Sequence, residues 1–120
     1  MFKELFDNLL RNCPGTLGIL VMGYDGIAIE QAVMDEADVD VNLVGVELSH
    51  VVKDILGAAE LLHLGGVQEL SIKCDSCTLL IRPLTDDYFA VLVLRESGNF
   101  GKARYLLRRD AHLLQQALVY

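Results

Sequence analysis

The chain has no apolar stretch approaching the roughly 18 consecutive residues that a membrane-spanning helix requires. Cations are also scarce, with 10 Lys and Arg against 17 Asp and Glu, for a net charge of −7. Nucleic acids and anionic membrane surfaces reward basic side chains, so neither is expected as a partner. Cysteine is limited to three residues, an odd number, and residues 1–10 are amphipathic and acidic, unlike an export signal. Both features point to a reducing cytoplasm. The motifs of catalysis are missing too. No Gly-x-x-x-x-Gly-Lys-[Ser/Thr] phosphate loop occurs, and no Gly-x-Ser-x-Gly nucleophile turn.

Apolar residues, by contrast, are abundant, at 52% of the 120 residues. That length is enough for one domain, spanning 1–120, with a core that needs neither metal nor disulfide. The apolar share exceeds what a small monomer hides easily, so part of it is expected at a partner interface. Seven apolar residues in succession, 88–94, are rich in β-branched and aromatic side chains and show no alternation. Such a short, bounded run predicts a strand buried on both faces, which needs cover above and below.

The other elements follow from periodicity. Phe2, Leu5, Phe6, Leu9 and Leu10 recur at helical spacing, and Pro14-Gly15 ends that helix. Residues 16–22 and 27–33 form a hairpin around Asp25-Gly26, and Glu30 with Gln31 suits the second strand to a sheet edge. Residues 43–64 form the longest helix, capped by Asp40 or Asn42 and closed by Gly65-Gly66. Its apolar positions, among them Val44, Leu48, Val51, Val52, Ile55, Leu56, Ala58, Ala59 and Leu62, fill an arc of about 160°. A helix resting on one sheet needs nearer 100°, so the border from Val51 to Ala58 should meet something outside its own core. Strands at 67–74 and 77–84 form a second hairpin around Asp75-Ser76, and a helix follows from 102 to about 119. Tight hairpins make the sheet antiparallel.

Two clusters invite a chemical reading. The acidic residues 35–40 lack the glycine and distal glutamate of an EF-hand, so they read as a solvated connector. Cys74 and Cys77 have the spacing of a dithiol or half a zinc site, yet they flank a hairpin turn instead of opening a helix. Two small residues facing each other across a turn is the preferred account. A dithiol or metal protein using Cys74 and Cys77 is the rival from another functional class.

Three stretches together resemble the Roadblock/LC7 superfamily, in particular its bacterial MglB-like branch. They are residues 18–30 (GILVMGYDGIAIE), the small-residue-rich helix ending Leu64-Gly65-Gly66, and residues 97–107 (SGNFGKARYLL). The resemblance covers nearly the whole chain. It implies an α+β fold of the profilin/longin kind, in the order α-β-β-α-β-β-β-α. Its five-stranded antiparallel sheet has order 2-1-5-4-3, the long helix on one face and the terminal helices on the other. It also implies a cytoplasmic, non-catalytic homodimer with no cofactor or metal, which binds a small Ras-like (MglA-like) GTPase. The role is that of an activating protein or adaptor; a scaffold or motor light-chain-type module is the alternative.

On this frame three sets of residues are expected to matter. Glu47, Val51, Asp54 and Ala58 run along the polar border of the long helix as a GTPase platform. Val67, Glu69, Leu70, Ser71 and Ile72 of an unprotected edge strand, with Leu48 and Ile55, form the dimer interface. Gly98, Asn99 and Gly101 swing the chain into the last helix, with Asn99 as its cap.

Overall fold

The 88–94 run forms the middle of the sheet. The structure, a computed structural model, describes residues 1–119. Its elements in chain order are α1 (Phe2–Asn12), β1 (Thr16–Gly23), β2 (Ala28–Val33), α2 (Val41–Leu61), β3 (Leu70–Lys73), β4 (Cys77–Pro83), β5 (Tyr88–Arg95) and α3 (Phe100–Ala117). The sheet runs β2-β1-β5-β4-β3 and every pairing is antiparallel. In β5, residues 89–94 are all buried, and so are all eight residues of β1.

Alternate side chains of β5 feed two separate cores. Phe89, Val91 and Val93 join Leu20, Met22, Val41, Leu48 and Val52 beneath α2. Ala90, Leu92 and Leu94 join Phe6, Leu9, Leu106, Leu107 and Leu114 beneath α1 and α3. Each large side chain so buried stabilises by about 1.5–3 kcal/mol. The α2 layer is thin because β1 and α2 approach through glycine. A Cβ on Gly18 would lie 2.7 Å from Val41 Cγ2, and one on Gly45 would collide with Leu20.

The start of α2 is fixed by Asp40, whose carboxylate accepts the Leu43 N–H at 3.1 Å. Its end differs from expectation. The helix stops at Leu61, and the left-handed residue is His63 (φ 56°), ahead of either glycine. Leu64 N–H reaches back to the Ala59 carbonyl and His63 N–H to that of Glu60, the paired bonds of a Schellman closure. Gly65 (φ 87°) only makes the next bend. The chain turns away so early that Leu62, expected inward, is 64% exposed.

The third strand is also shorter than the 67–74 expected. Pairing begins at Leu70 opposite Ile81. Cys74 N–H donates to the Cys77 carbonyl, so the bonded pairs of this hairpin are 74/77, 72/79 and 70/81. The next would join Gln68 to Pro83, whose nitrogen has no hydrogen to donate. Val67 and Glu69 therefore lie outside the ladder.

Candidate protein-interaction site

Successive residues of α2 are rotated by about 100°, which gives the helix four sides. Val41, Gly45, Val52 and Ala59 point into the core and are buried. Lys53, Leu56 and Glu60 form one flank, which overlooks the turns β1–β2 and β4–β5. Val44 and Leu48 form the other flank, facing β4. There, with Val39, Leu43, Glu47 and Leu79, they line an open hollow of about 380 Å³ with an almost wholly apolar wall. The outward side carries Glu47, Val51, Asp54 and Ala58, all exposed as the sequence implied, with Val51 at 47%.

The expected dimer residues are less unified. Leu48 is 9% exposed and belongs to the protomer's own core, so it has little surface left for a second copy. Glu69 points to the opposite face of the sheet, where both carboxylate oxygens accept from Arg104 Nε of α3, at 2.8 and 2.7 Å. Val67 lines a cavity beside Leu56 and Glu60, away from the strand edge. Leu70 packs on the α2-side core, and Ile72, opposite Leu79 on the same face, stays 37% exposed. Ile55 is half-buried. Leu43 (53% exposed) and Leu79 were missed; Leu43 stands four residues before Glu47 and extends its row. The apolar surface of the α2 flank thus continues across Leu79 to Ile72 and the free edge of β3.

Along that edge, backbone groups alternate in direction. Leu70 and Ile72 bond to β4, so the N–H and C=O of Ser71 and Lys73 point outward, with no strand beyond them. Proline at Leu70 would break the protomer's own ladder, whereas proline at Ser71 removes only an outward donor.

The turn into α3 rests on two of its three expected residues. Asn99 Oδ1 accepts the Lys102 N–H at 3.0 Å, capping the helix. A Cβ on Gly98 would lie 2.6 Å from Leu94 Cδ1 and 3.0 Å from the Arg95 carbonyl oxygen. Gly101 has no such constraint: its nearest neighbour would be Asn99 Oδ1 at 3.6 Å, and its φ is ordinary. Its expected steric role is therefore corrected. Gly98→Val should lower stability by about 1–3 kcal/mol through overpacking, and Gly101→Val should fall within about 0.5 kcal/mol of the parent. Urea denaturation of both variants reads the contrast; equal losses would contradict it.

Beyond the Lys53 flank of α2, Gly23, Tyr24, Asp25, Lys53, Asp86, Asp87 and Tyr88 line a half-open cavity of about 310 Å³. The Tyr24 hydroxyl is buried without a hydrogen-bond partner among the described residues. Burial first and the nearby Asp86 second push its pKa up to about 12, so it remains a neutral hydroxyl at physiological pH. Cys74 is exposed and Cys77 buried, on either side of the 75–76 turn, and neither lies in a helix.

The Roadblock/LC7 domain model matches residues 2–94. Among solved structures, MglC from Myxococcus xanthus is 34% identical, with 97% of this chain and 98% of that one covered at a TM-score of 0.70. A Roadblock/LC7 domain from Streptomyces avermitilis is 14% identical, with 98% and 97% covered and a TM-score of 0.83. The gliding protein MglB from Thermus thermophilus is 18% identical, with 95% and 85% covered and a TM-score of 0.83. The two lower identities carry the fold alone. No curated protein sequence matches.

Proposed function

The chain belongs to the Roadblock/LC7 family, with its profilin-like fold, and from that premise we propose that it is a non-catalytic, homodimeric regulator of a small Ras-like GTPase. The observation that carries this reading is an apolar surface with no covering element among the described residues of the protomer. It runs from Leu43 and the α2 flank over Leu79 and Ile72 to the open edge of β3. Two copies related by a two-fold axis would join their β3 edges into one sheet and bring their α2 helices side by side. The outward row of Asp54, Ala58 and Val51 would then lie on a shared platform. Its small, apolar and acidic groups suit a modest, reversible contact. Glu47, which lines the apolar hollow, belongs at the margin between dimer face and platform.

Two measurements test the reading. Ser71→Pro should convert a dimer into a monomer by light scattering at micromolar concentration, with circular dichroism and melting of the protomer nearly unchanged. A parent chain already monomeric under those conditions would refute the dimer. The GTP-hydrolysis rate of the cognate GTPase, with and without the chain, separates the roles. An accelerated rate marks an activating protein, and binding at an unaltered rate marks an adaptor or scaffold. Loss of neither property in Cys74→Ser with Cys77→Ser would remove the dithiol alternative.

A further inference from the structure

The cavity under the β1–β2 and β4–β5 turns has a composition that the surfaces above do not explain. Three carboxylates, Asp25, Asp86 and Asp87, face a single cation, Lys53. Asp25 is partly engaged, since its Oδ1 accepts the Ile27 N–H at 3.1 Å. Asp86 and Asp87 have no ion-pair partner among the described residues. Their turn is held rigid. The Asp87 carbonyl accepts the Tyr24 N–H at 3.0 Å, and Thr85 Oγ1 accepts the N–H groups of Asp87 and Tyr88.

Tyr24 supplies the second, independent observation. Its residue is 8% exposed and its ring stacks on Phe89, with centroids 5.0 Å apart. Its hydroxyl therefore sits at a fixed place just behind the wall, buried and without a partner among the described residues. Buried hydroxyls without partners are costly and uncommon, and one beside uncompensated carboxylates marks a position for a donor. The space continues along α2 past Leu56, Glu60 and Val67, so a segment longer than one side chain could enter.

We propose that this cavity is a socket for a basic side chain, an arginine guanidinium, presented by a bound protein partner. Charge complementarity selects a cation. No three metal-ligating side chains converge among the described residues, which disfavours a compact divalent ion. A guanidinium spreads its charge over a planar fork with five donors, enough to serve the Asp86 and Asp87 carboxylates and, once a side chain of the wall shifts, the Tyr24 hydroxyl oxygen just behind it. Lys53 stands at the rim as a competing cation. The proposal rests on the chain being a protein-binding module, though on neither its dimer nor its GTPase.

The test is amide-shift titration of the full ¹⁵N-labelled chain with acetyl-Gly-Arg-Gly-amide and with its neutral citrulline counterpart. The arginine peptide should give saturable shifts confined to residues 23–26, 53–57 and 85–88, and the citrulline peptide none. Affinity should fall at least fivefold, roughly 1 kcal/mol, in Asp86→Asn with Asp87→Asn. It should fall also in Tyr24→Phe, which keeps the ring stack and removes only the oxygen, and rise in Lys53→Ala. Equal shifts from both peptides, shifts spread over every acidic surface, or an unchanged Tyr24→Phe would overturn the proposal. So would calcium chloride alone saturating the same amides while the peptide does not. A peptide that fails while Ser71→Pro still splits a dimer sinks the socket alone. A peptide that binds a chain which is monomeric and ignores GTPases leaves the socket and removes the function proposed above.

Discussion

Phe89→Ala is expected to lower the stability of the protomer by about 3–5 kcal/mol, a large part of the roughly 5–15 kcal/mol available to a domain. Phe89 has no exposed surface and sits in the strand with neighbours on both sides, opposite Met22 and Pro83. One face of its ring meets Tyr24. The cavity left by truncation could collapse only if α2 moved inward, and that movement is blocked where Gly45 already touches Leu20 and Met22. The void should therefore persist, placing the loss toward the upper end of the range. Equilibrium unfolding in urea reads it as a lower midpoint at unchanged slope. A loss below about 1.5 kcal/mol would show that the layer beneath α2 repacks freely, against the close-packing described here.

If the chain regulates a Ras-like GTPase as proposed, Asp54→Arg combined with Ala58→Arg should weaken binding of the GTP-loaded GTPase by at least about 30-fold, or about 2 kcal/mol. Both positions are exposed, lie about 40° apart on the outward side of α2, and line neither flanking cavity. They are preferred to Val51, which leans toward the apolar flank, where a new charge would disturb the dimer as well. Two checks precede the affinity measurement: light scattering for an intact dimer and melting for an intact fold. If both hold and calorimetry still gives the parent affinity, the platform is on another surface.

The fold was legible where it depends on local pattern. The uninterrupted 88–94 run announced a doubly buried strand, and Asp40 and Asn99 announced their caps by standing just before apolar periodicity. The element order and the outward row of α2 followed from the same spacing rules. What stayed hidden depends on contacts between distant segments. The collision that makes Gly98 obligatory involves the Leu94 side chain, whereas Gly101, equally plausible as a letter, faces open space. The late start of β3 depends on Pro83 falling at a bonded position of the facing strand, which only the register reveals. His63 took the left-handed place although two glycines followed it. Leu48 was expected at a dimer face, yet its side chain packs into the core beneath α2. The socket at Tyr24 draws on two turns and a helix, so no window of sequence contains it.

The pairing of β1 with β5 also bears on how the chain is made. Leu20 faces Val91 in the finished sheet. The centre of the fold therefore cannot close until the residues through β5 have left the ribosome. At roughly 5–20 residues per second, the first hairpin waits several seconds for its missing neighbour. During that interval β1, whose eight residues all end up buried, exposes an unsatisfied strand rich in Leu, Ile, Val and Met. Such a strand is open to mispairing with other nascent chains. The acidic loop and α2, synthesised in the meantime, can only screen one of its faces. Closure of the sheet thus waits on synthesis through β5, and yield in the cell should respond to holdase chaperones and to translation rate more than to small changes in final stability.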